Sequence, residues 1–139
     1  MRACATFLAV TALAAGCADV GPKRVAVYPV AGKVLFNGQP AERAMVVFHP
    51  LGANDPRALR PLATVAADGT FRLTTYTTGD GAPEGEYAVT ITWPGGPPPK
   101  DPDDPPPDRL KGRYANPAKS PWKVTVKPGP NEVEPFNVQ

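Results

Sequence analysis

Three places in the sequence carry residue types that could do chemistry. The segment TGDGAPEGEY (78–87) puts three glycines and three acids into ten residues, a composition also found in phosphate loops and calcium loops. His49 is the single histidine of the chain, and Cys17 follows an apolar N-terminal run. Each place suggests a different kind of site: a ligand loop, a catalytic or zinc-binding histidine, and a lipid attachment point.

The glycine-rich segment fits a structural role better than a ligand site. A phosphate loop leads from a strand into a helix, whereas this segment leads into the alternating sequence EYAVTITW (86–93). Asp80, Glu84 and Glu86 are too few and too irregularly spaced for a calcium loop. We expect the glycines to allow a sharp crossing between sheets. We also expect Tyr87 to face the core with its hydroxyl tied to nearby backbone, as in a tyrosine corner.

His49 lacks the companions that catalysis would need. A zinc peptidase site needs two histidines and a glutamate, and the chain has one histidine. A Ser-His-Asp triad would have to use His49, but no nucleophile-elbow motif accompanies it. His49 precedes Pro50 at a strand end, so we predict a surface residue. The sequence therefore predicts no catalytic residue, no metal site and no cofactor.

The N-terminus predicts export. Met1 and Arg2 give a positive start, and ACATFLAVTALAA (3–15) is uncharged but too short to span a bilayer, which is typical of a secretory signal peptide. LAAGC (13–17) resembles the bacterial lipobox, in which the cysteine receives a diacylglycerol and an acyl chain such as palmitate. Cleavage after Ala14 also fits, and we favour a signal peptide over 1–16 with lipid on Cys17. This arrangement anchors the protein in a membrane, facing the periplasm or the cell surface.

Cysteine count and charge narrow the class of protein further. Only Cys17 would remain after cleavage, so the mature chain has no intramolecular disulfide and depends on core burial. The formal net charge of the whole chain is +2, without a block of like charge. Such a balance argues against binding to nucleic acid.

Strand signals dominate residues 30–139. Period-two alternation and turn dipeptides such as Asn37-Gly38 and Asp68-Gly69 predict about seven short strands, with a hairpin over 62–75 and an edge position for Pro135. We predict an all-β fold, a seven-stranded antiparallel β-sandwich, with a small barrel as the alternative. The predicted core includes Val34, Phe36, Val46, Phe48, Val65, Phe71, Leu73, Tyr87, Val89, Ile91, Trp93, Val124 and Val126. Residues 17–29 are predicted as a tether, unless Val25–Tyr28 adds a strand.

A proline-rich loop over residues 94–109 interrupts the strand pattern. Eight prolines stiffen it toward polyproline II, so it cannot pair as a central strand. Its charged residues are a candidate contact surface for a partner: Lys100, Asp101, Asp103, Asp104, Asp108 and Arg109. The alternative is an extended, solvated spacer.

Four segments in order carry a family resemblance: AGKVLFNGQPAERAMVVFHP (31–50), TVAADGTFRLTT (64–75), GDGAPEGEYAVTITW (79–93) and RYANPAKSPWKVTVKPGPNE (113–132). The chain resembles the carboxypeptidase-regulatory-like, transthyretin-like domain of small exported lipoproteins of the planctomycete type. The resemblance implies a seven-stranded prealbumin-like sandwich with a structural or accessory role. It implies no catalytic residue, and the chain ends FNVQ where the related hydroxyisourate hydrolases have Tyr-Arg-Gly-Ser.

Two classes of function remain open at this point. The first is a non-catalytic structural or interaction module of the cell envelope, with an unidentified envelope protein or glycan as partner. The second is a carbohydrate or small-ligand binding module, for which Trp93 and Trp122 are platform candidates although both alternate inward. A lysine–asparagine cross-link of Lys33 with Asn137, assisted by Glu86, is a third hypothesis. It is disfavoured because Lys33 and Glu86 fall on solvent-facing positions.

Overall fold

A computed structural model describes residue 21 and residues 23–139. The predicted signal peptide (1–16), the lipid site at Cys17 and the first part of the tether lie outside these residues. The described part is all-β, with eleven strands and one 3₁₀ turn of three residues, Pro117–Lys119.

The strands are short and follow one another along the whole described chain. They are β1 (Val27–Tyr28), β2 (Val30–Phe36), β3 (Gln39–Pro40), β4 (Met45–Pro50), β5 (Leu62–Thr64), β6 (Thr70–Arg72), β7 (Ala82–Pro83), β8 (Gly85–Thr92), β9 (Lys123–Val126), β10 (Asn131–Glu132) and β11 (Phe136–Val138). β1 is formed by residues that were assigned to the tether, so the strand alternative for that segment holds at Val27 and Tyr28.

Three sheets are present in the described residues. β5, β4, β8 and β9 form a four-stranded antiparallel sheet, β1 and β7 form a two-stranded ribbon, and β2 is the centre of a five-stranded sheet with β3, β6, β10 and β11. The predicted count of seven strands is therefore too low. Uniform antiparallel pairing is also wrong, because β10 and β11 run parallel to β2. The chain reaches them from β9, which belongs to the other large sheet.

Two local features differ from their predictions. The Asp68-Gly69 turn forms, with Gly69 at φ 85°, but its arms enter different sheets: β5 pairs with β4, and β6 pairs with β2. The predicted hairpin is thus reduced to an isolated bridge between Leu62 and Thr74. The last predicted strand is divided into β10 and β11 on either side of Pro135, which cannot donate to a ladder.

The hydrophobic core joins the two larger sheets. Side chains from β2, β4 and β8 pack into one cluster with residues of the connecting loops. Eleven of the thirteen predicted core residues are buried: Val34, Val46, Phe48, Val65, Phe71, Leu73, Tyr87, Val89, Ile91, Trp93 and Val126. Phe36 and Val124 are half-buried and pack against that cluster. Alternation along the strands therefore identified the inward faces.

The outer face of β8 is partly buried. Ala88 and Thr90 alternate with the inward residues, yet they are only 3% and 5% exposed. The segment that leads to β9 runs alongside β8: the amide of Ile91 donates to the Tyr114 carbonyl (3.0 Å), and the Ser120 hydroxyl donates to the Val89 carbonyl. Pro117 and Ala118 of this segment also line a cleft together with Ala88, so the segment lies against part of the outer face.

The molecule has two opposite ends, which we name the tether pole and the loop pole. At the tether pole β1 pairs with β7, just before β2 and β8 begin. At the loop pole β2 and β8 end, where the rings of Phe36 and Trp93 pack at 5.3 Å between centroids. The eight residues of β8 span about 26 Å at 3.3 Å per residue. The proline-rich loop thus begins about that far from β1.

Candidate functional site

The proline-rich loop is closed at its base by a stem of paired backbone. Pro94 and Asp108 form an antiparallel bridge. The Arg109 amide donates to the Trp93 carbonyl (2.8 Å), and the Gly95 amide donates to the Pro107 carbonyl (3.1 Å). The loop therefore leaves and re-enters the domain at a single point, although its prolines prevent a regular hairpin.

Asp108 organises this stem through its carboxylate. One oxygen accepts from the amides of Trp93 (2.8 Å) and Leu110 (2.9 Å), and the other accepts from the amide of Gly112 (2.9 Å). Such charge-assisted bonds are stronger than neutral ones. Asp108 was proposed as a contact residue, but its carboxylate is occupied within the domain.

Arg109 is also part of the stem. Its guanidinium lies 3.7 Å from the centroid of the Trp93 ring, within the range of a cation–π interaction. Gly95 makes room for this stacking, because a Cβ there would lie 2.8 Å from Cδ of Arg109. The indole N–H of Trp93 donates to the Glu42 carbonyl (2.8 Å). The structure therefore holds Arg109 across the base of the loop.

The tip of the loop has a different character. Lys100, Asp101, Asp103 and Asp104 are exposed. Asp101 forms a turn in which its carboxylate accepts from the Asp103 amide (3.0 Å) and its carbonyl accepts from the Asp104 amide (3.1 Å). The turn gathers three acids within four residues, between prolines on either side. Of the six predicted contact residues, these four are placed at the tip.

The glycine-rich segment 78–87 is built as a structural crossing. The Asp80 carboxylate accepts three backbone amides, from Thr75 (2.7 Å), Tyr76 (2.9 Å) and Thr77 (2.9 Å). Burial acts to raise the pKa of Asp80, but those hydrogen bonds outweigh it and hold the pKa below its ordinary value. The acid therefore serves the fold of its own loop.

Tyr87 closes the same crossing. Its hydroxyl donates to the Pro83 carbonyl (2.8 Å) while the ring is only 3% exposed. The predicted tie of Tyr87 to nearby backbone is confirmed. Burial raises the pKa of the Tyr87 hydroxyl.

The remaining predicted candidates are dispersed. Lys33, Glu86 and Asn137 are all exposed, whereas a lysine–asparagine cross-link requires a buried lysine beside an acid. Trp93 is 7% exposed and covered by Arg109. Trp122 is half-buried, in contact with the rings of Tyr114 and Phe136. The arrangement offers no pair of open indole faces among the described residues.

Two kinds of feature are absent from the described residues. At residue 21 and residues 23–139, no three His, Cys, Asp or Glu side chains come together as a metal-binding group. Within the same part of the chain, no helix has the length and apolarity needed to cross a membrane.

Comparisons with known proteins give one partial likeness. No family model matches the chain, and no curated protein matches it. The chain is similar to the crystal structure of a DUF3823 family protein from Parabacteroides merdae ATCC 43184, at 20% identity and a TM-score of 0.45. The similarity covers 84% of this chain and 47% of that one, so this chain spans about half the length of its neighbour. Neither family nor function follows from a likeness at this level.

Proposed function

We propose that this protein is a non-catalytic, exported lipoprotein of the cell envelope that presents its proline-rich loop to a partner. The domain is proposed to be a β-sandwich of the transthyretin-like type, anchored in the membrane by lipid on Cys17. The partner is an envelope protein or a glycan. One observation carries the proposal: the loop is fixed at its base by Asp108 and Arg109, while its acidic tip is exposed.

The fixed base favours contact over a spacer role. A spacer needs only length, whereas this loop starts and ends at one stem and so connects no separate parts of the fold. Proline restricts the unbound loop, which lowers the entropy that binding would cost. The Asp101 turn holds the acidic side chains together at the tip. These features suit presentation of a fixed charged surface.

The two poles suggest how the anchored domain would be oriented on the membrane. β1 lies at the tether pole, and the loop projects from the loop pole, about 26 Å away along β8. Arg24 stacks over Tyr76, so the stretch 17–23 that precedes it could reach at most about 25 Å when fully extended. An anchor at Cys17 would then hold the tether pole toward the membrane and point the loop away from it.

The anchor is tested by substitution of the cysteines. We expect Cys17→Ala to release the protein from membranes or to leave an uncut precursor, because the lipid attaches at that sulfur. Cys4→Ala, in the predicted signal segment, is the matched control and should fractionate as the unchanged protein does. A Cys17→Ala protein that remains in the membrane fraction at the normal size would contradict the anchor.

A further inference from the structure

A second site lies on the outer face of the four-stranded sheet, away from the loop. A cleft of about 240 Å³ opens there between the loop that follows β4 and the 3₁₀ turn at Pro117–Lys119. His49 and Ala88 contribute to its lining from neighbouring strands, with the register placing them opposite each other. Ala88 is buried, so the cleft reaches down to the sheet itself.

The imidazole of His49 is held in a fixed orientation. Its Nε2 lies 2.9 Å from the hydroxyl oxygen of Thr90. Thr90 is the one buried polar residue among the described residues, at 5% exposure, which makes this pair well shielded on the threonine side. The Thr90 hydroxyl has no other hydrogen-bond partner among the described residues, so we assign it as the donor to Nε2, which places the ring proton on Nδ1. No described residue hydrogen-bonds Nδ1, so that N–H is open to a ligand.

The cleft has a positive electrostatic character. Arg60 lines it together with His49, and no aspartate or glutamate does. Burial, and then the charge of Arg60, lower the pKa of His49, so the imidazole is neutral at pH 7. The guanidinium is exposed, with one contact from Nη1 to the Pro56 carbonyl at 3.3 Å. Most of its donors are therefore free to meet an anion.

We infer that this cleft binds the carboxylate of a small organic acid. Arg60 would receive the carboxylate, and the Nδ1–H of His49 would donate to it. The body of the acid would lie against apolar groups of Pro50, Ala88 and Pro117, which also line the cleft. The volume equals about eight water molecules at roughly 30 Å³ each, which suits a molecule of a few non-hydrogen atoms. This site is independent of the proline-rich loop and of lipid attachment.

The single histidine makes the test site-specific. The ring carbon resonances of His49 in the folded protein would be followed by NMR during titration with butyrate. We expect a saturable shift with butyrate and none with butyramide, its neutral isostere, because the carboxylate is the recognised group. Arg60→Ala should weaken butyrate binding by about tenfold or more, as expected for loss of a charged partner.

Arg57→Ala is the matched control, since Arg57 is exposed in the same loop but does not line the cleft. It should bind butyrate as the unchanged protein does. Arg60→Lys should retain part of the affinity, because the charge remains while the planar fork is lost. The inference is overturned by a non-saturable shift, by equal shifts with butyramide, or by equal binding in the Arg60→Ala and Arg57→Ala proteins.

Discussion

Tyr87 shows how one hydroxyl secures the entry to the longest strand. The ring packs in the core at 5.6 Å from that of Phe48, and the hydroxyl reaches back four residues to the Pro83 carbonyl. The bond sets the path of the chain between the β1–β7 ribbon and β8. Without it, a partly buried carbonyl would lose its partner.

The Tyr87→Phe substitution should therefore cost about 1 kcal/mol of unfolding free energy, the typical net value of a hydrogen bond. Urea denaturation of the purified domain would measure it. Tyr28→Phe is the control, because no described residue hydrogen-bonds the Tyr28 hydroxyl, and it should be nearly neutral. Equal effects of the two substitutions would show that the hydrogen bond from Tyr87 to Pro83 does not stabilise the domain.

The contribution of Asp80 to the free energy of unfolding depends on pH. Its pKa is lowered in the folded protein, so the unfolded chain binds its proton more readily. The stabilisation is fully present above the unfolded pKa of about 4 and is lost as the pH falls through the folded value.

Asp80→Asn leaves one acceptor oxygen for the three amides that the carboxylate now satisfies. We expect the substitution to destabilise the domain at pH 7. The difference from the unchanged protein should shrink below about pH 4, where the aspartate of the unfolded chain becomes protonated, and further as the pH falls through the lowered folded pKa. Denaturation curves at pH 7, 5 and 3 would check this, and a difference that stays constant with pH would contradict the role of the charge.

At the scale of elements, the β1–β7 ribbon depends on one close approach. Gly81 has φ 104°, and a Cβ at that position would lie 1.7 Å from the Tyr28 carbonyl oxygen. Gly79 is also in the left-handed region, at φ 74°, but nothing lies within 4 Å of its added Cβ. Alanine substitutions at Gly79 and Gly81 therefore distinguish the cost of backbone strain from the cost of a steric clash.

Gly81→Ala should detach β1 from β7, since the clash is with backbone that cannot rotate away. Gly79→Ala should cost only about 1–2 kcal/mol, the strain of a left-handed residue with a side chain. Limited proteolysis after Arg24 would report the detachment as faster cleavage in the Gly81→Ala protein alone. Equal cleavage rates would mean that the ribbon does not rely on this contact.

Changes in the loop tip and changes in its stem should have different effects on thermal stability. Replacement of residues 97–106 by a short Gly-Ser linker retains Asp108, Arg109 and the Pro107 carbonyl, so we expect a nearly unchanged melting temperature. Asp108→Ala removes the acceptor of three amides and should cost about 1–3 kcal/mol, lowering that temperature. Differential scanning calorimetry of both proteins tests the division. A large loss of stability in the linker protein would show that the tip packs on the domain.

The sequence identified elements better than their pairing. Alternation located the inward face of β8 because Tyr87, Val89 and Ile91 repeat with the period of a strand. It could not reveal the burial of Thr90, because the partner of its hydroxyl is His49, on a strand 41 residues earlier in the chain. The roles of Asp108 and Arg109 were missed for the same reason. Both residue types are typical of a surface loop, and only the partners Trp93 and Gly112 define them as structural.

At the scale of the whole molecule, the proposed membrane anchor and the proposed contact loop lie at opposite poles. β2 and β8 both run from the tether pole to the loop pole. Arg24 stacks over Tyr76 at 5.1 Å, so the chain is already held to the domain at that residue. An anchor at Cys17 would therefore leave only a short free segment between the lipid and the domain. The tip would then face away from the membrane, where an envelope partner could reach it.

The most direct test of the proposal is photo-crosslinking at the tip in the cell that makes the protein. A photoreactive residue would replace Pro102 or Pro105, with Ala67, in an exposed turn outside the loop, as the control position. We expect a discrete higher-mass adduct from positions 102 and 105, none from position 67, and loss of the adduct when Asp101, Asp103 and Asp104 are changed to asparagine. No adduct at the tip, or the same adduct from all three positions, would contradict a partner contact by the proline-rich loop.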